Sequence, residues 1–289
     1  MRKAASGWKI AFHIMAGLLT ASFGISIGSM KWLKVKRHTL VLPKLPRGLD
    51  GLRILHITDL HSGNAAKINL DIWKTVDTLP FDIAVITGDM IIGNKAPGRF
   101  RELTPHFDGL AALARRIPTF YVAGNHEYWD LPEMLAFMKR IGITALQDET
   151  CAITFNGTTF TIAGTLDFYH YRRKGGYASL HEMMNEASNG FKLVLTHQPQ
   201  VFRALKRYAP DLVLAGHTHG GQLRLPFCPT LYAPGQGLFP QYGAGLYTDK
   251  PSGAKLYVSR GIGTTMFRMR FFNRPEITLF TLRIPPEKE

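Results

Sequence analysis

The chain has 289 residues, 45% hydrophobic and 19% charged, enough apolar material for one large domain and unlike a low-complexity or disordered chain. Its net charge is +14, of which residues 1–50 hold +8 (nine Lys or Arg against one Asp), so the basicity flanks an apolar run and fits an anionic membrane surface better than nucleic acid, which is not an expected partner. Cys151 and Cys228 stand far apart and outside any CxxC pattern, so neither a disulfide framework nor a cysteine zinc site is indicated.

From Ile10 to Met30 there are 21 residues without formal charge between Lys9 and Lys31, long enough to cross a bilayer core. Three Gly and four Ser or Thr make the run only moderately apolar, and a cleaved signal peptide is its rival. Arg2, Lys3 and Lys9 precede it, and Lys31, Lys34, Lys36, Arg37, Lys44 and Arg47 follow it. That balance favours a single-pass protein of the cell inner membrane with its main domain on the cytoplasmic side. The expected division is a basic N-terminus 1–9, an anchor 10–30, a basic linker 31–51 marked by Pro43 and Pro46, and a domain over 52–289.

Beyond Arg53 apolar strand-like runs alternate with helix-length segments. The pattern predicts strands at 52–57, 83–87 and 118–122 and helices at about 67–79, 100–116 and 131–141. Short runs 143–146, 151–155 and 159–164 follow, the last two joined by the hairpin signal Asn156-Gly157. Helices at about 178–188 and 199–208 then alternate with strands 191–196 and 211–215, and 222–226, 254–259 and 276–283 read as β again. The fold class is therefore α/β with two sheets rather than one doubly wound sheet.

Five of these runs end abruptly in metal-competent side chains: Thr58-Asp59-Leu60-His61, Gly88-Asp89, Gly124-Asn125-His126-Glu127, Thr196-His197, and Gly216-His217-Thr218-His219. Ligands of open α/β sheets bind beyond the carboxyl ends of the strands, so these side chains would pool at one place. Two histidines one residue apart on a strand would face opposite ways, so His217 and His219 need a turn between them. Asp59, His61, Asp89, Asn125, His197, His217 and His219 offer oxygen and imidazole donors without a thiolate. Such a set suits manganese, iron, zinc or magnesium, and seven donors exceed one tetrahedral site but suit two metals sharing a carboxylate.

Asp59-x-His61, Gly88-Asp89, Gly124-Asn125-His126-Glu127, His197 and Gly216-His217-x-His219 resemble the motif set of the calcineurin-like metallophosphoesterases, over roughly residues 52 to 283. The resemblance implies a β-sandwich of two mixed sheets flanked by helices, and two divalent ions, manganese first among them. Asp59, His61 and His219 would hold one ion, Asn125, His197 and His217 the other, and Asp89 would bridge. His126 would be the general acid for the leaving oxygen, a role worth about 10²–10⁴ in rate. Glu127 is expected to hold an imidazole rather than a metal. Family members that act as non-catalytic scaffolds lose ligands or that histidine, and here all are present. Outside the motifs, His56 is expected to be a satisfied core histidine, and His170 belongs to a basic aromatic loop.

A narrower resemblance is to the membrane-attached branch, through Gly220-Gly221-Gln222-Leu223-Arg224-Leu225-Pro226, Tyr232-Ala233-Pro234 and Ser259-Arg260-Gly261-Ile262-Gly263-Thr264-Thr265. That branch is similar to the chlamydial-type enzyme that cleaves UDP-2,3-diacylglucosamine to lipid X and UMP for lipid A synthesis. It also resembles secreted phosphodiesterases exported by twin-arginine signals, which this N-terminus lacks. Arg260 is a candidate for a substrate phosphate. Phe267, Arg268, Arg270 and Phe271, in Met266-Phe267-Arg268-Met269-Arg270-Phe271-Phe272, are candidates for a lipid-linked phosphoester at the membrane.

Overall fold

The computed structural model describes residues 12–13, 15, 17, 24, 32–62, 71–92, 104–187, 190–221, 224, 230–264 and 270–286. The first half of the chain forms strands β1 (Lys34–Val41), β2 (Arg53–Ile57), β3 (Ile83–Ile86), β4 (Thr119–Tyr121), β5 (Thr144–Ala145) and the hairpin β6 (Glu149–Phe155)/β7 (Thr158–Gly164). The second half adds β8 (Lys192–Leu195), β9 (Leu212–Ala215), β10 (Tyr232–Ala233), β11 (Gly237–Leu238), β12 (Gly245–Thr248), β13 (Lys255–Val258) and β14 (Glu276–Arg283). Among the described residues the intervening helices are α1 (Ile72–Asp77), α2 (Thr104–Arg116), α3 (Leu131–Arg140), α4 (Phe168–Arg173), α5 (Ala178–Glu186) and α6 (Phe202–Leu205).

Two six-stranded mixed sheets result, one ordered β1-β14-β2-β3-β4-β5 and the other β12-β13-β9-β8-β7-β6. Strands β2 to β5 are mutually parallel, as are β13, β9, β8 and β7, and antiparallel strands lie outside these blocks. The parallel strands are buried on both faces, which is why they read as unbroken apolar runs. Ile54, Val85, Phe120, Leu193, Leu195, Leu214 and Phe280 fill the space between the sheets. The outer face of the first sheet packs on Ile72 and Val76 of α1, Leu110 and Leu113 of α2, and Met134 and Met138 of α3. The second packs on Leu180 and Met183 of α5 and Phe202 and Leu205 of α6. The layers are helix, sheet, sheet, helix.

Several expectations are corrected. Residues 34–41, read as linker, are strand β1, paired in parallel with β14 from Lys34↔Glu276 to Val41↔Arg283. The 199–208 helix is a single α turn between two 3₁₀ turns, Pro199–Val201 and Lys206–Tyr208. His170 lies in helix α4, not in a loop. Residues 63–70 and the 222–226 run apart from Arg224 lie outside the described residues, as does nearly all of the proposed 10–30 anchor. Among the described residues no helix is long and apolar enough to cross a membrane.

Candidate metal centre

Strands β2, β3 and β4 end level with one another, since Ile57 pairs with Ile86 and Ile86 with Tyr121; in the other sheet Leu195 pairs with Leu214. The turns after β2, β3, β4, β8 and β9 meet at this common end. Five of the seven candidate ligands there have positive φ: Asp59 (51°), His61 (44°), Asp89 (53°), His217 (71°) and His219 (50°). Left-handed backbone costs an L-residue roughly 1–2 kcal/mol and persists only where surroundings over-determine it. It also solves the geometric problem of the sequence, because left-handed steps at His217 and His219 turn both imidazoles inward despite their spacing.

The surroundings are specific. The first two turns zip together through Asp59 N–H to Gly88 O, His61 N–H to Asp89 O and Ser62 N–H to Met90 O, each at 3.0 Å. Asp59 accepts from the His217 amide at 3.1 and 3.0 Å and from Thr58 Oγ1 at 2.9 Å. Close approach demands glycine twice: a Cβ at Gly216 would lie 2.4 Å from Asp59 Oδ2, and one at Gly124 2.2 Å from Asp89 Oδ1. Glu127, fully buried, accepts from the amides of Gly124 (2.7 Å), Asp89 (2.8 Å), Met90 (2.7 Å) and Ile91 (3.2 Å). It therefore shapes the Asp89 turn and holds no imidazole, which corrects the expectation for it. Burial pushes its carboxyl up, as does Asp89, while these amides pull it back.

The inward side chains form overlapping groups in which candidate ligand atoms lie within 4.8 Å of one another: Asp59, His61 and His219; Asp89, His197 and His217; and His61, Asp89 and His126. Asp89 Oδ2 stands between the first two groups, 3.7 Å from His61 Nε2 and 3.3 Å from His197 Nε2. His61 Nε2 is 3.1 Å from His219 Nε2, which is 3.4 Å from Asp59 Oδ1, and His217 Nδ1 is 3.2 Å from His197 Nε2. Imidazoles bound at about 2.0–2.1 Å to one ion hold their nitrogens roughly 3 Å apart, so the spacing fits metal ligands. The outer nitrogens agree: His197 Nδ1–H donates to Thr87 O at 2.7 Å and His61 Nδ1–H to Ile91 O at 3.1 Å, which turns each Nε2 inward, where it can bind an ion once it carries no proton. Asn125, in the turn before His126, has its Oδ1 buried without a hydrogen-bond partner and available to an ion. The donor set fits two divalent ions.

Charge reinforces this. Burial pulls His61 down to about 4 and His217 to about 3, so both are neutral donors. Burial pushes Asp59 up to about 6 against the pull of His197. His197 itself, although burial works the other way, is driven up to about 10 by Asp89. Two carboxylates and one imidazolium thus share a buried pocket that cations would stabilise.

His126 differs from the others. Its side chain is 26% exposed, its backbone N–H donates to Asp89 Oδ1 at 2.9 Å, and its Nε2 lies 3.9 Å from Asp89 Oδ2. It therefore stands on the solvent side of the Asp89 carboxylate. His56 is buried, with Nε2 2.8 Å from Thr87 Oγ1, and burial pulls it down to about 3. It supports the strand that ends at Asp59, as expected of a core histidine.

Arg270 is not at a lipid surface. It is 1% exposed, its Nε and Nη1 donate at 2.9 Å to Gly263 O and Arg260 O, and its Nη2 is 3.2 Å from His219 Nδ1. Phe271 is half-buried and its carbonyl accepts from Arg224 N–H at 2.9 Å. Phe267 and Arg268 lie outside the described residues. Unforeseen from sequence are Asn273, whose Nδ2 donates to His219 O at 2.5 Å, and Asp167, 2% exposed and pushed up to about 6 by burial. Asp167 follows the strand run Phe160 to Gly164 as the other acids follow theirs, and that was the available signal.

Residues 52–221 match the model of the calcineurin-like phosphoesterases. The chain belongs to that family. It is accordingly a metal-dependent phosphoester hydrolase, and the clusters around Asp89 place the donors for two ions in it. An uncharacterized metallophosphoesterase of Bacillus subtilis (strain 168), YkoQ, is 31% identical over 235 residues, covering 78% of this chain and 82% of that one. A second from the same organism, YkuE, is 29% identical over 93% of both chains. Phosphodiesterase YaeI of Escherichia coli (strain K12) is 29% identical over 87% of this chain and 88% of its own.

Proposed function

We propose that the protein is a dinuclear phosphodiesterase in which Asp89 bridges two ions, manganese first with iron, zinc or magnesium as alternatives. Asp59, His61 and His219 would hold one ion, and Asn125, His197 and His217 the other. The observation that carries this is Asp89 Oδ2 lying between two donor groups, with His126 on its open side. Ions bound there supply Lewis-acid charge for the phosphoryl oxygens and a water of lowered pKa. The rest is done by the chain: the left-handed turns fix the donors before substrate arrives, and His126 presents a proton to the departing oxygen. The phosphodiesterase YaeI supports diester rather than monoester as the substrate class.

The narrower candidate substrate is UDP-2,3-diacylglucosamine, cleaved at its pyrophosphate at the inner membrane, with the domain on the cytoplasmic side and no nucleic-acid partner. Its support is the sequence resemblance of residues 216–226 and 259–265 and the basic residues flanking the apolar run 10–30. Manganese-loaded protein given bis(p-nitrophenyl) phosphate, p-nitrophenyl phosphate and UDP-2,3-diacylglucosamine in mixed micelles tests both levels. The expected order of kcat/KM is UDP-2,3-diacylglucosamine, diester, monoester. A monoester preference would contradict the diesterase assignment, and a diester cleaved faster than the nucleotide lipid would remove the narrower one.

A further inference from the structure

Three cations beside the metal centre are left unused by this chemistry. Lys36, on β1, holds its ammonium 5.3 Å from the centroid of the Tyr257 ring. Tyr257 O–H donates to Glu276 Oε1 at 2.8 Å, and Glu276 Oε2 is 3.7 Å from Arg260 Nε, a buried nitrogen without a hydrogen-bond partner. Arg224 approaches from the other side: its Nη1 is 3.4 Å from Gly220 O, and a Cβ on Gly220 would lie 2.9 Å from Arg260 Cγ. Lys36, Arg224 and Arg260 are all partly exposed, while Glu276 is 2% exposed. Arg260 therefore pairs with a buried carboxylate that Tyr257 already engages, with Lys36 over the same Tyr257 ring and Arg224 beside Arg260 across Gly220.

This arrangement is electrostatically incomplete. Burial pulls Lys36 below its ordinary value; Glu276 opposes the fall, and Arg260 and Arg224 deepen it. Burial and Arg260 likewise pull Arg224 down. Like charges gathered in partial burial are unfavourable unless an anion joins them, and arginine forks match phosphate oxygens in geometry. The group also adjoins the metal centre: Arg260 precedes Gly261, where a Cβ would lie 2.5 Å from Asp59 Cβ, and Arg270 bridges Arg260 O to His219.

We propose that Lys36, Arg224 and Arg260 bind a second phosphoryl group of the substrate, next to the one that is cleaved. The substrate class is then a diphosphate diester or another doubly phosphorylated molecule. The inference rests on the phosphodiesterase assignment of the same site, and its test separates the two. Bis(p-nitrophenyl) phosphate carries one phosphoryl group and the matching diphosphate diester carries two. Wild type should favour the diphosphate by at least about tenfold in kcat/KM, and Lys36→Met and Arg260→Gln should each erase most of that preference, through KM. Lys36→Arg, which keeps the charge, should restore it. Calorimetric titration of the metal-free protein with methylenediphosphonate reads the pocket without turnover: binding should weaken at least about tenfold in the same two variants. A diphosphate preference untouched by both substitutions overturns the pocket, as does methylenediphosphonate affinity equal in wild type and variants. If wild type cleaves neither substrate, the diesterase assignment fails, and the titration alone then decides for or against the pocket.

Discussion

Asp59, His61, Asp89, His197, His217 and His219 are 0–5% exposed and mostly on left-handed backbone, whereas Lys34–Val41 runs extended along a sheet edge with alternate side chains in solvent. Both regions are needed for one fold, yet they are specified differently. At the centre, a few short turns hold chemistry that no other residue types could supply, and each turn is local in sequence. At the edge, β1 finds its partner β14 more than two hundred residues away, and its buried content is thin: Leu40 is 5% exposed and Leu42, just beyond it, 3%. Local and chemical information is concentrated in the first region, and long-range pairing carries the second.

The largest effect expected on the centre follows from removing the shared carboxylate. Asp89→Ala should lower kcat/KM on the order of 10³-fold or more and leave fewer than two equivalents of metal by elemental analysis. Full metal content with near wild-type turnover would mean that the two donor groups do not share Asp89. The largest effect on the edge comes from truncation. Deleting residues 1–31 leaves β1 whole, while deleting 1–42 removes it together with Leu40 and Leu42. Burying each leucine is worth roughly 1.5–3 kcal/mol against a total stability of about 5–15 kcal/mol. The longer deletion should therefore be insoluble or lose its cooperative thermal transition, and the shorter should keep it. Equal melting of the two would return 31–51 to the status of a linker.

The same contrast explains what could be read from the residues alone. Strand ends carrying Asp59, Asp89, Asn125, His197 and His217 were legible because an apolar run that stops at a ligand is unusual. Strand β1 was not, since Lys34, Lys36, His38 and Leu40 share one face and Val35, Arg37, Thr39 and Val41 the other, so its period-2 pattern has little apolar contrast. Residue type misled at Arg270, because arginine is rarely buried and nothing local announces that its partners are the carbonyls of Gly263 and Arg260. Glu127 misled for a related reason: its position after His126 suggested an imidazole partner, but three amides of the distant Asp89 turn and that of Gly124 in its own turn converge on it. The 199–208 segment has a helical apolar pattern, but Pro199 opens it as a 3₁₀ turn and Ala209, at φ 47°, stops it.

Two smaller effects sharpen the account of the centre. Arg270→Met should tighten the ion bound at Asp59, His61 and His219 by about 10-fold, with little change at the other, because a guanidinium 3.2 Å from His219 Nδ1 opposes both a nearby cation and the Nδ1–H tautomer that frees Nε2. Competition with a chelator would show one equivalent leaving later than in wild type; release unchanged or earlier would contradict it. The smallest effect is a proton. In the metal-free protein His197 keeps its proton to about pH 10, and binding to its Nε2 must displace it. Metal loading at pH 8 should release about one proton, so affinity falls as pH falls, and the slope should steepen below about pH 6, where Asp59 also takes up a proton. Titration in two buffers of different ionisation enthalpy measures the release, and zero protons at pH 8 would mean that His197 is neutral before metal arrives.

The central claim is that Asp89 joins two ions, and anomalous scattering from crystals soaked in manganese tests it most directly. Two peaks about 3.5–4 Å apart are expected, with Asp89 Oδ2 touching both, Asp59, His61 and His219 around one, and His197 and His217 around the other. A single peak, or two peaks of which only one contacts Asp89, would contradict it.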